Sequence, residues 1–410
     1  MLRRAFLLLL GTGLLEGCGG GYGPFGGYGG PPVPLGAGQP VAAPLSQKVA
    51  ILLPLSGPRA DIGQAMLHAA QLALAGNLDV HDTGGTPQGA AAAARAAIGA
   101  GTGLILGPLT SPETAAVAPI ARGANVAVLA FTNDPSQAQP GVWTLGITPG
   151  QQVRRLAAAA QAQGKTQLAA LLPDNELGHL MAQALMQAAS ADGLPPPNVR
   201  FHAQGMQAIN MAARDLADYA HRRGPIDAQI RQARALGTPE GRKQAQELAK
   251  TQIPPPSFNA LLLGDSGEQL AEVAAVLPYY DVDRSAVQLM GPSLWASPQS
   301  GSGQVPGGWY AAPDPAARSA FEQSYTAKYG NPPPVVADLA YDAAAIARVL
   351  ADRGFSFGAL TQSAGFIGSD GWFALLPDGQ VRRALAVFAV EQGGPQMVQP
   401  APQSANVPGT

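Results

Sequence analysis

The sequence has little charge and almost no cysteine, and each shortage excludes a class of protein. Charged residues make up 13% of the 410 residues and the formal net charge is −2, so the chain lacks the basic surface that a nucleic-acid partner requires. The single cysteine, Cys18, excludes an intramolecular disulfide. The five histidines are scattered without the spacing of metal ligands. We therefore expect no nucleic-acid partner, no metal and no cofactor.

Motifs typical of enzymes are also missing. The sequence has no P-loop and no G-x-S-x-G nucleophile elbow. Gly264-Asp265-Ser266-Gly267 is similar to the nucleophile loop of trypsin-like proteases. Those proteases are all-β proteins, whereas the apolar run before this motif has the pattern of a buried strand in an α/β protein, and no histidine has a matching context. We therefore predict that the chain is not an enzyme.

The amino terminus has the pattern of a bacterial lipoprotein signal. Two arginines precede the apolar run Ala5–Leu15, which has signal-peptide length and is too short for a stable membrane-spanning helix. The following Leu15-Glu16-Gly17-Cys18 resembles the lipobox, with Glu16 in place of the usual small residue. An ordinary signal peptide with an incidental cysteine is the alternative. We predict a signal peptide at 1–17 and a periplasmic protein anchored to a membrane by lipid on Cys18.

Strands and helices alternate through most of the chain, beginning at Lys48. The clearest unit runs from Leu104 to Thr132 and contains a buried strand, a loop, a helix that we expect Ser111 to cap, and a second buried strand. Such a unit makes parallel strands joined by a right-handed crossover. Because the pattern restarts after Trp143, we predict an α/β fold of two doubly wound, parallel-sheet lobes.

Three segments flank or interrupt this pattern. The Gly/Pro-rich residues 18–47 are predicted to be a flexible tether, and residues 393–410 a disordered tail. Residues 207–251 are polar, basic and helical, and we predict that they form an inserted pair of helices on the second lobe. The basic side chains of this insert form either a partner surface or only a solvated face. They are Arg214, Arg222, Arg223, Arg231, Arg234, Arg242 and Lys243.

Polar loops follow several of the predicted strands, at the sheet edge where open α/β folds bind ligands. The free N–H groups at the helix start near Ser111 suit a carboxylate, although Ser111 could serve only as a helix cap. Because all these loops should meet at one edge, we predict that they line a ligand site. Its residues are Ser56, Ser111, Thr132, Asp174, Asp265 and Ser293.

Two motifs make residues 48–392 resemble a type I periplasmic binding protein of the leucine-binding group. They are Gly107-Pro108-Leu109-Thr110-Ser111-Pro112-Glu113-Thr114 and Leu129-Ala130-Phe131-Thr132-Asn133. The resemblance implies two lobes with a cleft between them, joined by crossovers near Leu145, Trp309 and Phe366. The domain bounds that we assign on this basis are 48–147 with 309–365 for the first lobe and 148–308 with 366–392 for the second.

The resemblance also implies a small carboxylate ligand in the cleft. In amino-acid binders of this group, residues matching Ser111 and Thr132 hold the ligand carboxylate. A tyrosine stands at the position of Leu177, and polar or acidic groups near the positions of Ser266 and Ser293 hold the ammonium. Leu177 cannot bind an ammonium and Ser293 has no charge, so only Asp265 remains nearby. Half of an amino-acid site is therefore present in the sequence.

A second set of features resembles the penicillin-binding protein activators, lipoproteins of the same fold. These features are Leu277-Pro278-Tyr279-Tyr280-Asp281-Val282-Asp283, Gly308-Trp309-Tyr310 and the basic insert. This resemblance implies a regulator of peptidoglycan synthesis whose partner is a cell-wall synthase. The alternative function is the substrate-binding lipoprotein of an ABC importer for branched-chain or other amino acids, whose partner is an ABC permease.

Overall fold

The computed structural model describes residues 31–36, 48–76 and 78–404, so Cys18 and the predicted signal peptide lie outside the described residues. The described strands, numbered along the chain, are β1 (Val33–Pro34), β2 (Lys48–Leu53), β3 (Leu78–Asp82), β4 (Thr102–Leu106), β5 (Ala127–Ala130), β6 (Val142–Thr144), β7 (Leu168–Pro173), β8 (Asn198–His202), β9 (Ala260–Leu263), β10 (Gln288–Gly291), β11 (Trp309–Ala312), β12 (Phe366–Gly368), β13 (Gly371–Leu375), β14 (Val381–Arg383), β15 (Ala386–Ala389) and β16 (Gln396–Gln399). The described α-helices are α1 (Ala60–Ala73), α2 (Pro87–Gly99), α3 (Ser111–Gly123), α4 (Pro149–Ala162), α5 (Glu176–Ala191), α6 (Met206–Leu216), α7 (Tyr219–Ala235), α8 (Pro239–Ala249), α9 (Gly267–Val276), α10 (Pro315–Tyr329), α11 (Ala337–Val349) and α12 (Phe357–Leu360).

The first lobe is built on a five-stranded parallel sheet in the order β3-β2-β4-β5-β6. Its central strands are apolar runs because helices cover both faces of a parallel sheet. On one face α1 and α11 pack with buried residues such as Met66 and Ile346. On the other face α2 and α3 pack with small residues such as Ala94 and Ala121. This confirms the predicted doubly wound α/β arrangement.

The second lobe has a seven-stranded sheet in the order β16-β15-β11-β10-β9-β7-β8. The strands from β11 to β8 are parallel, and β15 and β16 add an antiparallel edge. The prediction of disorder from Gly393 is wrong for Gln396–Gln399, because these residues pair with the open edge of β15. Arg155 on α4 also donates a hydrogen bond of 3.1 Å to the carbonyl of Pro400.

A small sheet in the order β1-β12-β13-β14 lies between the lobes. Adjacent residues of β13 pack in different cores: Trp372 in the core of the second lobe and Phe373 in the core of the first. The tether prediction is wrong for residues 33–36, since β1 pairs with β12. The backbone N–H of Val33 bonds to Gly365, and Leu35 is buried in the core of the first lobe.

The chain passes between the lobes at three places. The first lies after β6, at Leu145, and the second after β11, in whose first position Trp309 lies. The third lies at 384–385, between β14 and β15. The expected crossover near Phe366 is therefore wrong, because that residue opens β12 of the small sheet. The small sheet is an intermediate layer that packs on both cores.

The projecting insert is smaller than the sequence indicated. Helix α6 packs into the core of the second lobe with residues such as Ile209 and Leu216, so a boundary at residue 207 is wrong. The projecting pair consists of α7 and α8, which pack on each other through Ile230, Ala233 and Ala245. Among the described helices, none is both long and apolar enough to cross a membrane.

Candidate functional site

The carboxyl ends of three neighbouring strands bring Ser56, Ser111 and Thr132 to one edge of the first lobe. These residues follow β2, β4 and β5, which lie side by side in parallel. The backbone N–H of Ser56 donates to Oδ1 of Asp82 at 3.2 Å. A hydrogen bond with the Ser56 side chain, together with backbone N–H donors, lowers the pKa of Asp82. Ser56 is therefore engaged by an acid of its own lobe.

Ser111 is not the cap of α3, contrary to the prediction. The N-cap is Thr110, whose backbone N–H and hydroxyl donate to Oε2 of Glu113 at 3.0 and 2.6 Å. Oε1 of Glu113 accepts a further hydrogen bond of 2.6 Å from Thr83. Because Thr110 and Glu113 complete the helix start, the hydroxyl of Ser111 is available for another partner.

That partner is the carboxylate of Asp134. Ser111 donates to Oδ2 of Asp134, and the backbone N–H of Asp134 donates to the hydroxyl of Thr132 at 3.1 Å. Ser136 and Gln137 donate to the same carboxylate at 2.9 and 3.4 Å. Burial acts to raise the pKa of Asp134, but these hydrogen bonds outweigh burial and lower it below its ordinary value. The carboxylate of Asp134 thus engages Ser111, and its backbone N–H engages Thr132, the two side chains that the resemblance assigned to a ligand carboxylate.

Asp265 and His202 form a buried pair at the strand ends of the second lobe. Oδ2 of Asp265 and Nε2 of His202 are 3.1 Å apart, and both side chains are 0% exposed. Nδ1 of His202 lies 3.0 Å from the carbonyl of Ala203, so both ring nitrogens face acceptors and both need a proton. Burial acts to lower the pKa of His202, but the hydrogen bonds to Asp265 and Ala203 outweigh it and raise the pKa. Asp265 is therefore engaged by an internal cation.

The remaining predicted site residues also have partners within the second lobe. Asp174 follows β7 and lies 2.9 Å from Nε2 of His179, with both side chains exposed. The backbone N–H of Ser293 donates to Oε1 of Gln152 at 2.7 Å. Leu177 lies in the first turn of α5 and packs, partly buried, against the apolar core of the second lobe. Within the described residues, no hydrogen bond joins these side chains to those at the edge of the first lobe.

A buried charged cluster lies where the small sheet meets the lobes. Oδ1 of Asp342 accepts a hydrogen bond of 2.7 Å from the backbone of Ser369, and Arg383 donates to the carbonyl of Leu145 at 3.0 Å. Burial, with the charge of Asp370, raises the pKa of Asp342 to about 7. The cluster joins the first crossover to the small sheet and was not found from the sequence.

Sequence reasoning also missed Asp134 and His202. Asp134 follows Thr132 by two positions in a loop recognised as polar, and that short spacing was an available signal. His202 is 63 positions from Asp265, and only the order of the strands brings the two together. No group of three or more His, Cys, Asp or Glu residues in the described part of the chain is arranged to hold a metal.

Comparisons with known proteins agree with this architecture. The family model of periplasmic binding proteins matches residues 46–395. An uncharacterised protein from Rickettsia prowazekii is 25% identical over 178 residues, which are 42% of this chain and 48% of that protein. The alignment with this relative therefore spans about half of its length.

Solved structures of similar fold come from two functional groups. A putative branched-chain amino acid ABC transporter from Rhodospirillum rubrum is 20% identical, with a TM-score of 0.64, and the match covers 86% of this chain and 100% of that one. Full-length LpoA from Haemophilus influenzae is 16% identical, with a TM-score of 0.60 over 87% of this chain and 59% of that one.

The C-domain of LpoA, described as a regulator of PBP1A, gives a TM-score of 0.58 at 17% identity and is covered over 99% of its length, against 86% of this chain. At these identities the likeness shows the fold alone. The match over residues 46–395 and the two-lobed architecture agree, and the chain belongs to the periplasmic binding protein family, with the predicted type I fold.

Proposed function

We propose that the chain is a non-enzymatic lipoprotein of the cell envelope that regulates peptidoglycan synthesis by binding a cell-wall synthase. Asp134 carries the proposal, because its carboxylate already accepts the hydrogen bond of Ser111. A ligand carboxylate at that position would face a like charge and would have no free donor from Ser111. The protein would lie in the periplasm, held on a membrane by lipid on Cys18.

The second lobe supports the same conclusion. An amino-acid ammonium needs an acceptor there, and Asp265 is the nearest acid among the residues that the resemblance indicated. Its side chain is 0% exposed and paired with His202, so a ligand could reach it only if the core around this ion pair opened. The likeness to the LpoA C-domain, described as a regulator of PBP1A, supports a role in partner binding.

The helical hairpin of α7 and α8 is the surface that best suits such a partner. Residues 219–250 contain seven basic and three acidic side chains, in a chain whose net charge is −2. Arg222 fixes the hairpin to the lobe, since it donates to the carbonyl of Tyr280 at 3.1 Å. Arg231, Arg234 and Lys243 are exposed. These exposed cations would face an acidic surface of the synthase.

The alternative function is that of a receptor for an amino-acid importer. The likeness to the branched-chain amino acid transporter from Rhodospirillum rubrum favours it. In that case Asp134 would have to leave Ser111 when the ligand binds, and the partner would be an ABC permease. The two functions therefore differ in whether the edge of the first lobe binds a free amino acid.

Calorimetry on the full chain with leucine, isoleucine and valine tests the proposal. We expect no binding at micromolar concentrations, because Asp134 opposes the carboxylate and the side chain of Asp265, which would have to receive the ammonium, is buried against His202. Micromolar or tighter binding of any of the three would contradict the regulator and favour the importer receptor.

A matched pair of variants tests the surface. The triple substitution Arg231→Glu, Arg234→Glu, Lys243→Glu should abolish stimulation of the synthase in a reconstituted assay, because it reverses the charge of the hairpin. Arg214→Glu changes an exposed arginine on α6, outside the hairpin, and should leave stimulation unchanged. Equal activity of both variants would show that the hairpin is not the binding surface.

A further inference from the structure

A cavity of about 160 Å³ lies where the two lobes meet, beside the first turns of α4. The first lobe contributes Pro135 and Thr144 to its wall, the second lobe contributes Arg154 together with side chains of α5, and the small sheet contributes Gln380 from the turn before β14. None of the predicted site residues lines it. A protein cavity of about 150 Å³ can hold benzene, so this one has room for a ligand of comparable size.

Arg154 gives the cavity an unusual charge. The side chain is partly buried, and in the described part of the chain it has neither an ion pair nor a hydrogen-bond partner. Burial, with the like charge of Arg382, lowers the pKa of Arg154. A partly desolvated cation next to a second cation is unfavourable unless an anion balances it.

Other donors surround the same space. Gly150 lies in the first turn of α4 and lines the cavity, and its backbone N–H has no partner among the described residues. Gln183 and Gln187 lie one turn apart on α5 and are exposed. The positive end of the α4 dipole adds to the charge of Arg154. The wall therefore offers a guanidinium, a backbone N–H and side-chain amides, and none of the described residues that line it carries a carboxylate.

We propose that this cavity binds a small oxyanion, either a carboxylate or a phosphate, against the guanidinium of Arg154 and the first turn of α4. Both lobes line the cavity, so the bound anion stabilises the lobes in the arrangement described here. Neither Ser111 nor Asp134 lines this cavity, and the proposal does not depend on the regulatory function proposed above.

Titration of the full chain with malonate and with inorganic phosphate tests this site, in a buffer free of other multivalent anions. We expect at least one of the two anions to bind and to raise the melting temperature. Arg154→Met should weaken that binding by about tenfold or more, because it removes the charge-assisted hydrogen bonds and keeps the side-chain length. Arg231→Met removes an exposed arginine of α7 and should leave binding unchanged.

The stability of the variant separates a binding role from a structural one. Without anion, Arg154→Met should melt at the same temperature as the wild-type chain or higher, because it removes an unpaired, partly buried cation. Gln183 is exposed, so Gln183→Ala should leave the chain folded. The substitution should weaken binding of the anion by about threefold, because it removes one side-chain amide donor. Binding of malonate alone would identify a carboxylate site, and binding of phosphate alone a phosphate site. The proposal would be overturned if neither anion binds, or if the wild-type and Arg154→Met chains bind an anion equally well.

Discussion

The two lobes provide different internal partners for the polar side chains at their strand ends. On the first lobe the carboxylate of Asp134 is partly exposed and accepts from Ser111 and from its own loop. On the second lobe Asp265 and His202 pair with no solvent contact. The first arrangement is a surface cluster, and a single substitution at Asp134 would free the hydroxyl of Ser111. The second arrangement is part of the core. In both lobes, therefore, residues predicted to line a ligand site contact other groups of the chain itself.

The largest effect that this comparison predicts is that of Asp265→Ala. The substitution leaves the buried His202 without its anion, and removing one partner of a buried ion pair costs about 3–5 kcal/mol. Urea unfolding measures the loss of unfolding free energy. The matched control is Asp174→Ala, which removes the exposed partner of His179 and should cost less than about 1 kcal/mol. Equal losses in the two variants would remove the distinction between the core pair and the surface pair.

The same buried pair predicts how stability changes with pH. Hydrogen bonds raise the folded pKa of His202 above its ordinary value, so the folded chain holds this proton more tightly than the unfolded chain. The contribution is fully present below the unfolded pKa of about 6.5 and is lost as the pH rises through the raised folded pKa.

Urea unfolding of the wild-type chain and of His202→Gln, across about pH 5.5 to 8.5, checks this expectation. The advantage of the wild-type chain over the variant should be largest at the acidic end and should shrink as the pH rises. An advantage that grows with pH would mean that His202 is neutral in the folded chain.

The parts of the fold that could be predicted are those determined by local sequence. Strand β4 is a largely apolar run that ends at Leu106, before Gly107, and α3 has proline and acid in its first turn. The failures depend on distant partners. Val33 joins a sheet only because Phe366 offers a strand edge, and Gln396–Gln399 forms a strand only beside β15. The local sequence of a polar or Gly/Pro-rich segment does not indicate that the segment will form a strand by pairing with the edge of a strand far away in the chain.

The candidate site divides in the same way. The positions of Ser111 and Thr132 after neighbouring strands follow from the β-α-β pattern. Which group each hydroxyl contacts does not follow, since that depends on side-chain directions within the loop of Asp134. The buried partner of Asp265 depends on the second sheet placing β9, β7 and β8 next to one another. Sequence therefore located the strand ends but could not show that other groups of the same chain contact them.

The smallest change in stability is expected for Asp134→Ala, which opens the edge of the first lobe. The loop loses the hydrogen bonds that Asp134 accepts from Ser111 and Ser136, so the unfolding free energy should fall by about 1 kcal/mol. In return, the hydroxyl of Ser111 becomes available to an external carboxylate, next to the start of α3.

Leucine titrated into the wild-type chain and the variant, followed by NMR, measures whether this edge has opened. We expect no binding to the wild-type chain and weak binding, with a Kd of about 1 mM, to Asp134→Ala. The variant has a free Ser111 hydroxyl for the leucine carboxylate but still lacks an acceptor for the ammonium. Asp134→Glu is the matched control. It keeps a carboxylate in the loop and should therefore not bind leucine. Equal affinity of the wild-type chain and of Asp134→Ala for leucine would show that the internal carboxylate does not block this edge. The distinction between the surface cluster of Asp134 and the buried pair of Asp265 and His202 would then not hold.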